Sequence, residues 1–197
     1  MHEEFEQLID GARGCRVCAR MAGCRAVLST KNGDVKSRIL FVAEAPGRLG
    51  ADRTGIPLFG DQSGRNFDAL LHMAELRRSD IFVTNAVLCN PRDDRGRNAA
   101  PSSAEIRNCT PFLRRTLELL NPGVVVALGV VGLGALALVA PHGVVLRRDV
   151  ARPVVWNDRL LVALYHPGPR AQLHRSFARQ RDDFAELSPL FAQFVTS

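Results

Sequence analysis

The sequence predicts an α/β fold with a central, mainly parallel four-stranded sheet and helices on both of its faces. Three observations support this prediction. Short apolar segments alternate with amphipathic segments along most of the chain, an order typical of strands joined by helices. The run "GVVVALG" has no polar residue, which indicates a strand buried on both faces. The chain has 197 residues, of which 46 % are apolar, and we expect a single domain over residues 1–197.

The elements of the first half follow one another in a clear order. The pattern predicts a short helix over residues 2–13 and a first strand within "DVKSRILFVAEAPG". A helix is expected in "SGRNFDALLHMAEL", with Ser63 as its N-cap, and a second strand in "SDIFVTNAVLC". The segment "PSSAEIRNCTPFLRRTLELLNP" is typical of a helix that opens with a capping box of Ser102 and Glu105 and ends before Pro122.

The second half continues the alternation. The third strand is "GVVVALG", the helix after it is "VVGLGALALVA", and a late strand lies in "RLLVALYHPGP". The last helix is expected to begin near Gln172 and to end before Pro189. In parallel sheets, the loops at the carboxyl ends of the strands build the binding site. Four loops qualify here, those after Val42, Val83, Leu128 and Leu164.

The charge of the chain favours a polyanionic partner such as nucleic acid. The net charge is +6, and nearly all of the basic side chains are arginines. No apolar run reaches the roughly 20 residues that a membrane span needs. The N-terminal "MHEEFEQLID" is acidic and amphipathic, unlike a signal peptide. We therefore expect a cytoplasmic protein that has no membrane partner.

The cysteines indicate a metal centre. Cys15 and Cys18 form a C-x-x-C pair, Cys89 ends a strand, and Cys109 lies in the helix after the polar loop. Because disulfides are rare in the cytoplasm, two thiol pairs joined by the fold suit a metal or cluster better than ordinary buried cysteines. Zinc and a [4Fe–4S] cluster both accept four thiolates, so the spacing leaves the choice open. Cys24 is either a free thiol or a substitute ligand.

The loop "AEAPGRLGADRTG" after the first strand is rich in glycine, but a phosphate cradle is disfavoured. It lacks both G-x-G-x-x-G and the Gly-Lys-Ser/Thr of a P-loop. Pro46 also removes a backbone N–H that a cradle would use.

Two later loops carry side chains with specific chemistry. The amide of Asn85, in "TNAVLC", can read both a carbonyl and an N–H of a pyrimidine edge, although an Asn at a strand end can equally be a turn residue. His166, in "YHPGPR", lies between a strand end and a basic segment, where it can meet an anion, although a lone His is more often structural.

Taken in order, "EAPG", "GD-x-SG", "VTN" followed by a cysteine, "P-x-x-x-E-I-x-x-C-x-P-F-L" and "HP-x-P" resemble the uracil-DNA glycosylase superfamily. The resemblance runs from Cys15 to about Arg175 and is strongest to the iron–sulfur enzymes of families 4 and 5. It implies a three-layer α/β/α fold and a monomer. It also implies a [4Fe–4S] cluster rather than zinc, with the N-terminal C-x-x-C segment packed on the domain. The cluster ligands would be Cys15, Cys18, Cys89 and Cys109.

The resemblance implies an enzyme that hydrolyses the N-glycosidic bond of uracil, or of another deaminated base, in DNA. The base is flipped out of the duplex into a pocket. Asn85 would then read its Watson–Crick edge, Phe59 would stack on its face, and His166 would stabilise charge on O2. The backbone of residues 45–47 (Ala45, Pro46 and Gly47) would form the rim of the pocket. The motif loops contain no lysine, which argues against Schiff-base lyase chemistry.

A carboxylate is also needed to place water. Asp61 is the candidate by analogy with family 5 and Glu44 by analogy with family 4, and we prefer Asp61. The alternatives are a turn-forming Asp61 and a Glu44 that only braces its loop. For DNA, Arg170 and Arg175 are expected at phosphates and Leu173 as a wedge in place of the flipped base, the alternative being a solvated basic helix.

The chain departs from the family at several positions. Leu58 stands where family 4 has a stacking Phe, and Ala45 stands where family 1 has its water-activating Asp. The loop between Cys89 and Cys109 is longer than in typical family 4 members. These departures motivate a second hypothesis, a uracil-recognising DNA-binding protein with little or no turnover. A third is a nucleotide-binding α/β protein with a zinc site.

Overall fold

The structure, a computed structural model, describes residues 2–195. The helices in this part of the chain are α1 (His2–Gly14), α2 (Ala51–Thr54), α3 (Gln62–Met73), α4 (Ser103–Leu120), α5 (Gly129–Val139), α6 (Leu146–Asp149), α7 (Phe177–Glu186) and α8 (Ser188–Phe191). The strands are β1 (Ile39–Ala43), β2 (Phe82–Asn85), β3 (Val124–Leu128), β4 (Val154–Trp156) and β5 (Arg159–Leu164).

The strands form one sheet in the order β2-β1-β3-β5-β4. All neighbours are parallel except β4, which pairs antiparallel with β5. The mainly parallel sheet is as predicted, but the prediction of four strands was wrong because β4 adds a fifth. It arises from a tight hairpin whose two turn residues, Asn157 and Asp158, have φ of 48° and 61°. Asn and Asp tolerate this left-handed turn, and a three-residue strand leaves little periodicity to detect.

Each face of the sheet is covered by helices, which gives the predicted three-layer fold. Side chains alternate along β1. Leu40 and Val42 belong to an apolar cluster with residues of α1, α4 and α5. Ile39 and Phe41 belong to a second cluster with residues of α3, α7 and α8. Burial on both faces explains why β1 and β3 read as continuous apolar runs.

Two helix starts differ from the prediction. The N-cap of α3 is Asp61 rather than Ser63, because the Gly64 N–H donates to Oδ1 of Asp61 at 2.9 Å. The single last helix was also wrong. A short 3-10 turn covers Ala171–Leu173, Ser176 caps α7, and α8 follows with Pro189 in its first turn, where proline is tolerated.

The capping box of α4 is confirmed, with Ser102 accepting from the Glu105 N–H and Glu105 accepting from the Ser102 N–H. Across residues 2–195, none of the helices has the length and apolar character needed to cross a bilayer.

Candidate active site

The predicted loops leave the sheet at one edge, where the carboxyl ends of β1, β2, β3 and β5 meet. Ala43 pairs with Asn85 at the ends of β1 and β2, so Glu44 and Asn85 start neighbouring loops. His166 lies beyond β5 and against the start of α5, where a Cβ on Gly129 would be 3.4 Å from the His166 Cβ. The topology therefore brings Glu44, Asn85 and His166 to the same edge, as expected for a parallel sheet.

Asn85 has a buried donor that no other described residue satisfies. The residue is 3 % exposed, and within residues 2–195 its Nδ2 has no hydrogen-bond partner. A buried amide without a partner is costly, and native proteins keep few of them. The unpaired NH2 group of Asn85 at this edge of the sheet can therefore donate a hydrogen bond to an acceptor atom of a bound ligand.

His166 is held in one tautomer. The Gly168 N–H donates to Nδ1 of His166 at 2.9 Å, which leaves the ring proton on Nε2. Burial lowers the pKa of His166 to about 4, although the negative charge of Asp61 acts in the other direction and raises it. The Pro167 carbonyl accepts from Nδ2 of Asn66 at 2.7 Å, which fixes the segment to α3. At neutral pH the side chain is therefore a neutral donor through Nε2.

Asp61 connects α3 with the loop after β1. While Oδ1 caps the helix, Oδ2 lies against two glycines of that loop. A Cβ on Gly50 would be 2.4 Å from Oδ2, and one on Gly47 would be 3.1 Å from it. The first distance is shorter than real Cβ contacts, so Gly50 is required for this approach. Asp61 is therefore a helix cap whose second carboxylate oxygen lies against the loop. Its charge raises the pKa of His166, against the larger effect of burial.

Glu44 is half-buried directly after β1. Burial raises the pKa of its carboxyl above the ordinary value, and the charge of Arg170 opposes this. The Glu44 carbonyl accepts from the Val87 N–H at 3.1 Å, and the Ala43 carbonyl accepts from the Ala86 N–H at 2.8 Å. These backbone bonds tie the first loop to the second at the point where Asn85 ends its strand.

Leu58 and Phe59 lie in the turn before α3 but face different surroundings. Leu58 is buried in the core cluster with Phe67, whereas Phe59 is 42 % exposed. The exposed ring of Phe59 is thus the aromatic face that this turn offers.

A polar network that the sequence did not reveal holds the rim of the site. Asn90, which is 1 % exposed, donates from Nδ2 to the Pro46 carbonyl and to Oδ1 of Asn98 at 3.0 Å. That Oδ1 also accepts from the Arg48 N–H at 2.9 Å. Arg92 holds Asn90 through its Oδ1 at 2.8 Å. The polar segment after Cys89 was visible in the sequence, but its contact with the first loop is a property of the fold.

In the segment after His166, Arg175 is held by an ion pair, whereas Arg170 and Leu173 are exposed. Arg175 donates from Nε to Oδ2 of Asp183 at 2.7 Å and from Nη2 to Oδ1 of the same carboxylate. Asp183 is 3 % exposed, so this pair anchors the segment to α7. Leu173 is 85 % exposed, and Arg170 is exposed near Glu44.

Four of the five cysteines line one cavity: Cys15, Cys18, Cys89 and Cys109. Burial, with the neighbouring thiols adding to it, raises the pKa of Cys89 to about 12 and that of Cys109 to about 11. Cys24 contacts the Asn90 carbonyl at 3.5 Å. Within residues 2–195, no three His, Cys, Asp or Glu side chains converge as ligands of a single metal ion.

Arg20 fastens the C-x-x-C segment to α4, the helix that carries Cys109. Its Nε and Nη2 pair with the two carboxylate oxygens of Glu105 at 3.0 and 2.6 Å, and Nη2 also reaches the Ala100 carbonyl at 3.2 Å. A two-pronged pair of this kind fixes orientation as well as distance.

The order of loops and cysteines has a counterpart among known proteins. The family model of the uracil DNA glycosylase superfamily matches residues 30–189. This chain belongs to the uracil-DNA glycosylase superfamily. The family predicted from the motifs is thereby confirmed.

Within this superfamily, the chain is similar to type-4 and type-5 uracil-DNA glycosylases. It is 32 % identical to a type-4 uracil-DNA glycosylase of Archaeoglobus fulgidus, over 95 % of this chain and 94 % of that protein. It is 29 % identical to a type-4 enzyme of Thermotoga maritima, over 84 % of this chain and 82 % of that protein. A type-5 enzyme of Pyrobaculum aerophilum is 32 % identical, over 70 % of this chain and 64 % of its own length.

Proposed function

We propose that this glycosylase removes uracil from DNA by hydrolysing the bond between the base and its deoxyribose, which initiates base excision repair. The buried, unpartnered Nδ2 of Asn85 is the observation that carries the proposal. The type-4 and type-5 names of the relatives support the same activity. Other deaminated bases that offer the same edge are further substrates in this proposal.

Recognition of the base rests on its hydrogen-bonding edge and its face. Nδ2 of Asn85 donates to O4 of uracil, a position where cytosine carries an amino group and would oppose donor to donor. A site built to satisfy a buried polar group rejects an analogue that leaves the group unpaired. Phe59 stacks on the flipped base, and the backbone of residues 45–47 forms the rim, held by Asn90 through the Pro46 carbonyl.

His166 stabilises the leaving group. As the bond between C1′ and N1 breaks, its electron pair moves onto the base, and negative charge develops on O2. Nε2–H of His166 donates to that oxygen, and the Gly168 N–H holds the ring in the required tautomer. A donor oriented before the reaction needs no reorganisation during it.

Asp61 positions the water that attacks C1′ and accepts its proton, while its charge stabilises the cationic sugar. Its Oδ2 lies over Gly47 and Gly50, on the loop that forms the rim. Glu44 is the second candidate. Burial raises the pKa of the Glu44 carboxyl against the charge of Arg170, so the choice of Asp61 rests on the position of its Oδ2 beside the rim.

Contact with the strand falls to the segment after His166. In the proposal, Arg170 meets a phosphate, and the exposed Leu173 fills the space that the flipped base leaves. Arg175 anchors the segment through Asp183, and its remaining N–H donors contribute to phosphate binding.

The four cysteines that share a cavity fit a [4Fe–4S] cluster in their chemistry, because this cluster is held by four thiolates. Cys15, Cys18, Cys89 and Cys109 would hold it, and the group would supply a structural link between the N-terminal segment and α4. Cationic iron would also offset the cost of ionising the buried thiols.

We further propose a single domain over residues 1–197 that acts as a cytoplasmic monomer.

A single experiment separates this proposal from recognition without turnover. A 5′-labelled oligonucleotide with one uracil is incubated with the protein and treated with alkali, which cleaves only at an abasic site. Cleavage by the wild type, with strongly reduced cleavage by Asn85→Ala, supports the enzyme. An intact strand retained tightly on a gel supports a binding protein instead.

A further inference from the structure

Arg78 contacts the turn before α3 although it lies far from the motif loops in the sequence. It starts the 3-10 turn Arg78–Asp80, between α3 and β2. Its Nη1 donates to the Pro57 carbonyl at 3.1 Å, Nη2 donates to the Leu58 carbonyl, and Nε pairs with Oδ1 of Asp68 at 2.6 Å. All three nitrogens of the guanidinium are thus engaged in fixed directions.

The same guanidinium contacts two aromatic rings. Its central carbon is 5.6 Å from the centroid of Phe59 and 5.4 Å from that of Phe67. Phe67 is fully buried in the core, whereas Phe59 is 42 % exposed. Both distances are within the range of cation–π attraction. Arg78 therefore connects the exposed ring to a rigid part of the core and leaves part of that ring open to a ligand.

The turn itself needs support. Leu58 has a φ of 49°, a left-handed conformation that is unfavourable for a residue with a Cβ. The turn also packs closely on α3, where a Cβ on Gly64 would be only 2.7 Å from the Leu58 carbonyl oxygen. Arg78 supplies donors to two consecutive carbonyls of this turn, so it stabilises the backbone shape as well as the ring.

We infer that Arg78 is a positioning residue that holds Phe59 against the flipped base and thereby sets the strength of base binding rather than the rate of bond cleavage. The inference rests on the proposed function, in which Phe59 is the stacking face. Lysine cannot replace the arginine, because one ammonium group cannot reach both carbonyls and Asp68 in this geometry.

The test is a double-mutant cycle between Arg78→Ala and Phe59→Ala. Binding is measured with an oligonucleotide that carries 2′-fluoro-2′-deoxyuridine, which resists hydrolysis, and cleavage is measured as the single-turnover rate at saturating protein. Loss of base stacking predicts about tenfold weaker binding for each single variant. The double variant should bind no more weakly than Phe59→Ala alone. In Arg78→Ala the saturating rate should change less than about threefold. Arg78→Lys should resemble Arg78→Ala.

Arg77→Ala is the matched control. Arg77 is adjacent, its side chain is 79 % exposed, and it pairs with Asp80. It should bind like the wild type. Should Arg78→Ala fold poorly, Asp68→Asn keeps the arginine but loosens it, and a smaller loss in the same direction is expected.

The inference is overturned if the two losses multiply in the double variant, if Arg77→Ala binds as weakly as Arg78→Ala, or if the Arg78 and Asp68 variants bind like the wild type. Its failure is distinct from failure of the proposed function. In the latter case the wild type itself would neither prefer the uracil analogue over a cytosine oligonucleotide nor cleave at uracil.

Discussion

The backbone N–H of Gly168 donates to Nδ1 of His166 at 2.9 Å. This contact needs a glycine, because a Cβ at position 168 would be 2.8 Å from the same nitrogen. It decides the tautomer of the imidazole, and burial decides its charge by lowering the pKa to about 4. The side chain proposed to stabilise the leaving base is thus a neutral donor in the resting protein, and its donor is Nε2–H.

Nitrogen-15 NMR should find His166 neutral and protonated on Nε2 between about pH 8 and pH 5. A histidine with the usual pKa of about 6.5 would become charged within that range, but His166, with its lowered pKa, takes up its proton only near pH 4. A titration midpoint near pH 6.5, or a ring protonated on Nδ1, would contradict this assignment. The spectrum of His166→Gln identifies the signal.

Asn85→Leu should stabilise the fold while abolishing selective uracil binding. The substitution replaces an unpartnered buried amide by an apolar side chain, so the free energy of unfolding should rise by about 1 kcal/mol in urea denaturation. Binding of the 2′-fluoro-2′-deoxyuridine oligonucleotide should fall to that of an undamaged strand.

Asn32→Leu is the control for Asn85→Leu. Asn32 is equally buried, but it donates to the Val83 carbonyl at 2.8 Å and accepts from the Ser29 N–H at 2.9 Å. Its loss should lower the free energy of unfolding by about 1–3 kcal/mol. If both leucine variants destabilise the protein alike, the amide of Asn85 is satisfied within the chain, and the role assigned to it is wrong.

Asp61→Asn should reduce the single-turnover rate by a factor of about 100 or more, the usual contribution of a general base. Asparagine remains a good N-cap for α3, so stability should change by less than about 1 kcal/mol. Glu44→Gln should have a smaller effect on the rate. The opposite order, with Glu44→Gln the slower variant, would transfer the role of water positioning to Glu44.

Protein purified without oxygen should be brown and contain about four iron atoms per chain. Cys89→Ser should lose most of the iron and the visible absorbance, because Cys89 shares the cavity with three other thiols. Cys24→Ser should keep both, since Cys24 does not line that cavity. Colourless wild-type protein with stoichiometric zinc would rule out the cluster.

The sequence predicted the elements whose signals are local. The capping box at Ser102 and the fully apolar β3 were found because each depends on neighbouring residues. The sequence did not predict β4, because a strand of three residues has too short an alternation to detect and its hairpin turn, Asn157 and Asp158, contains no glycine. The predicted cap of α3, Ser63, was wrong because Asp61, two residues earlier, also has a side-chain oxygen suited to an N-cap and accepts the bond from the Gly64 N–H.

The site was predicted only in part for the same reason. Asn85 and His166 stand at strand ends, so the topology of a parallel sheet is enough to bring them to one edge. Asn90, Asn98 and Arg78 act through contacts that join distant loops, such as the bond from Asn90 to the Pro46 carbonyl. No local pattern marks such residues, and only the folded chain reveals them.

Hydrolysis of the glycosidic bond by this protein can be measured directly as release of free uracil. A duplex oligonucleotide with one uracil opposite guanine is incubated with the wild type, and the free base and the abasic strand are quantified over time by mass spectrometry. We expect equal amounts of free uracil and abasic strand from the wild type, and neither free cytosine nor abasic strand from a matched cytosine duplex. No uracil release by folded protein that binds the duplex, or release of cytosine from the matched duplex to the same extent, would contradict this activity.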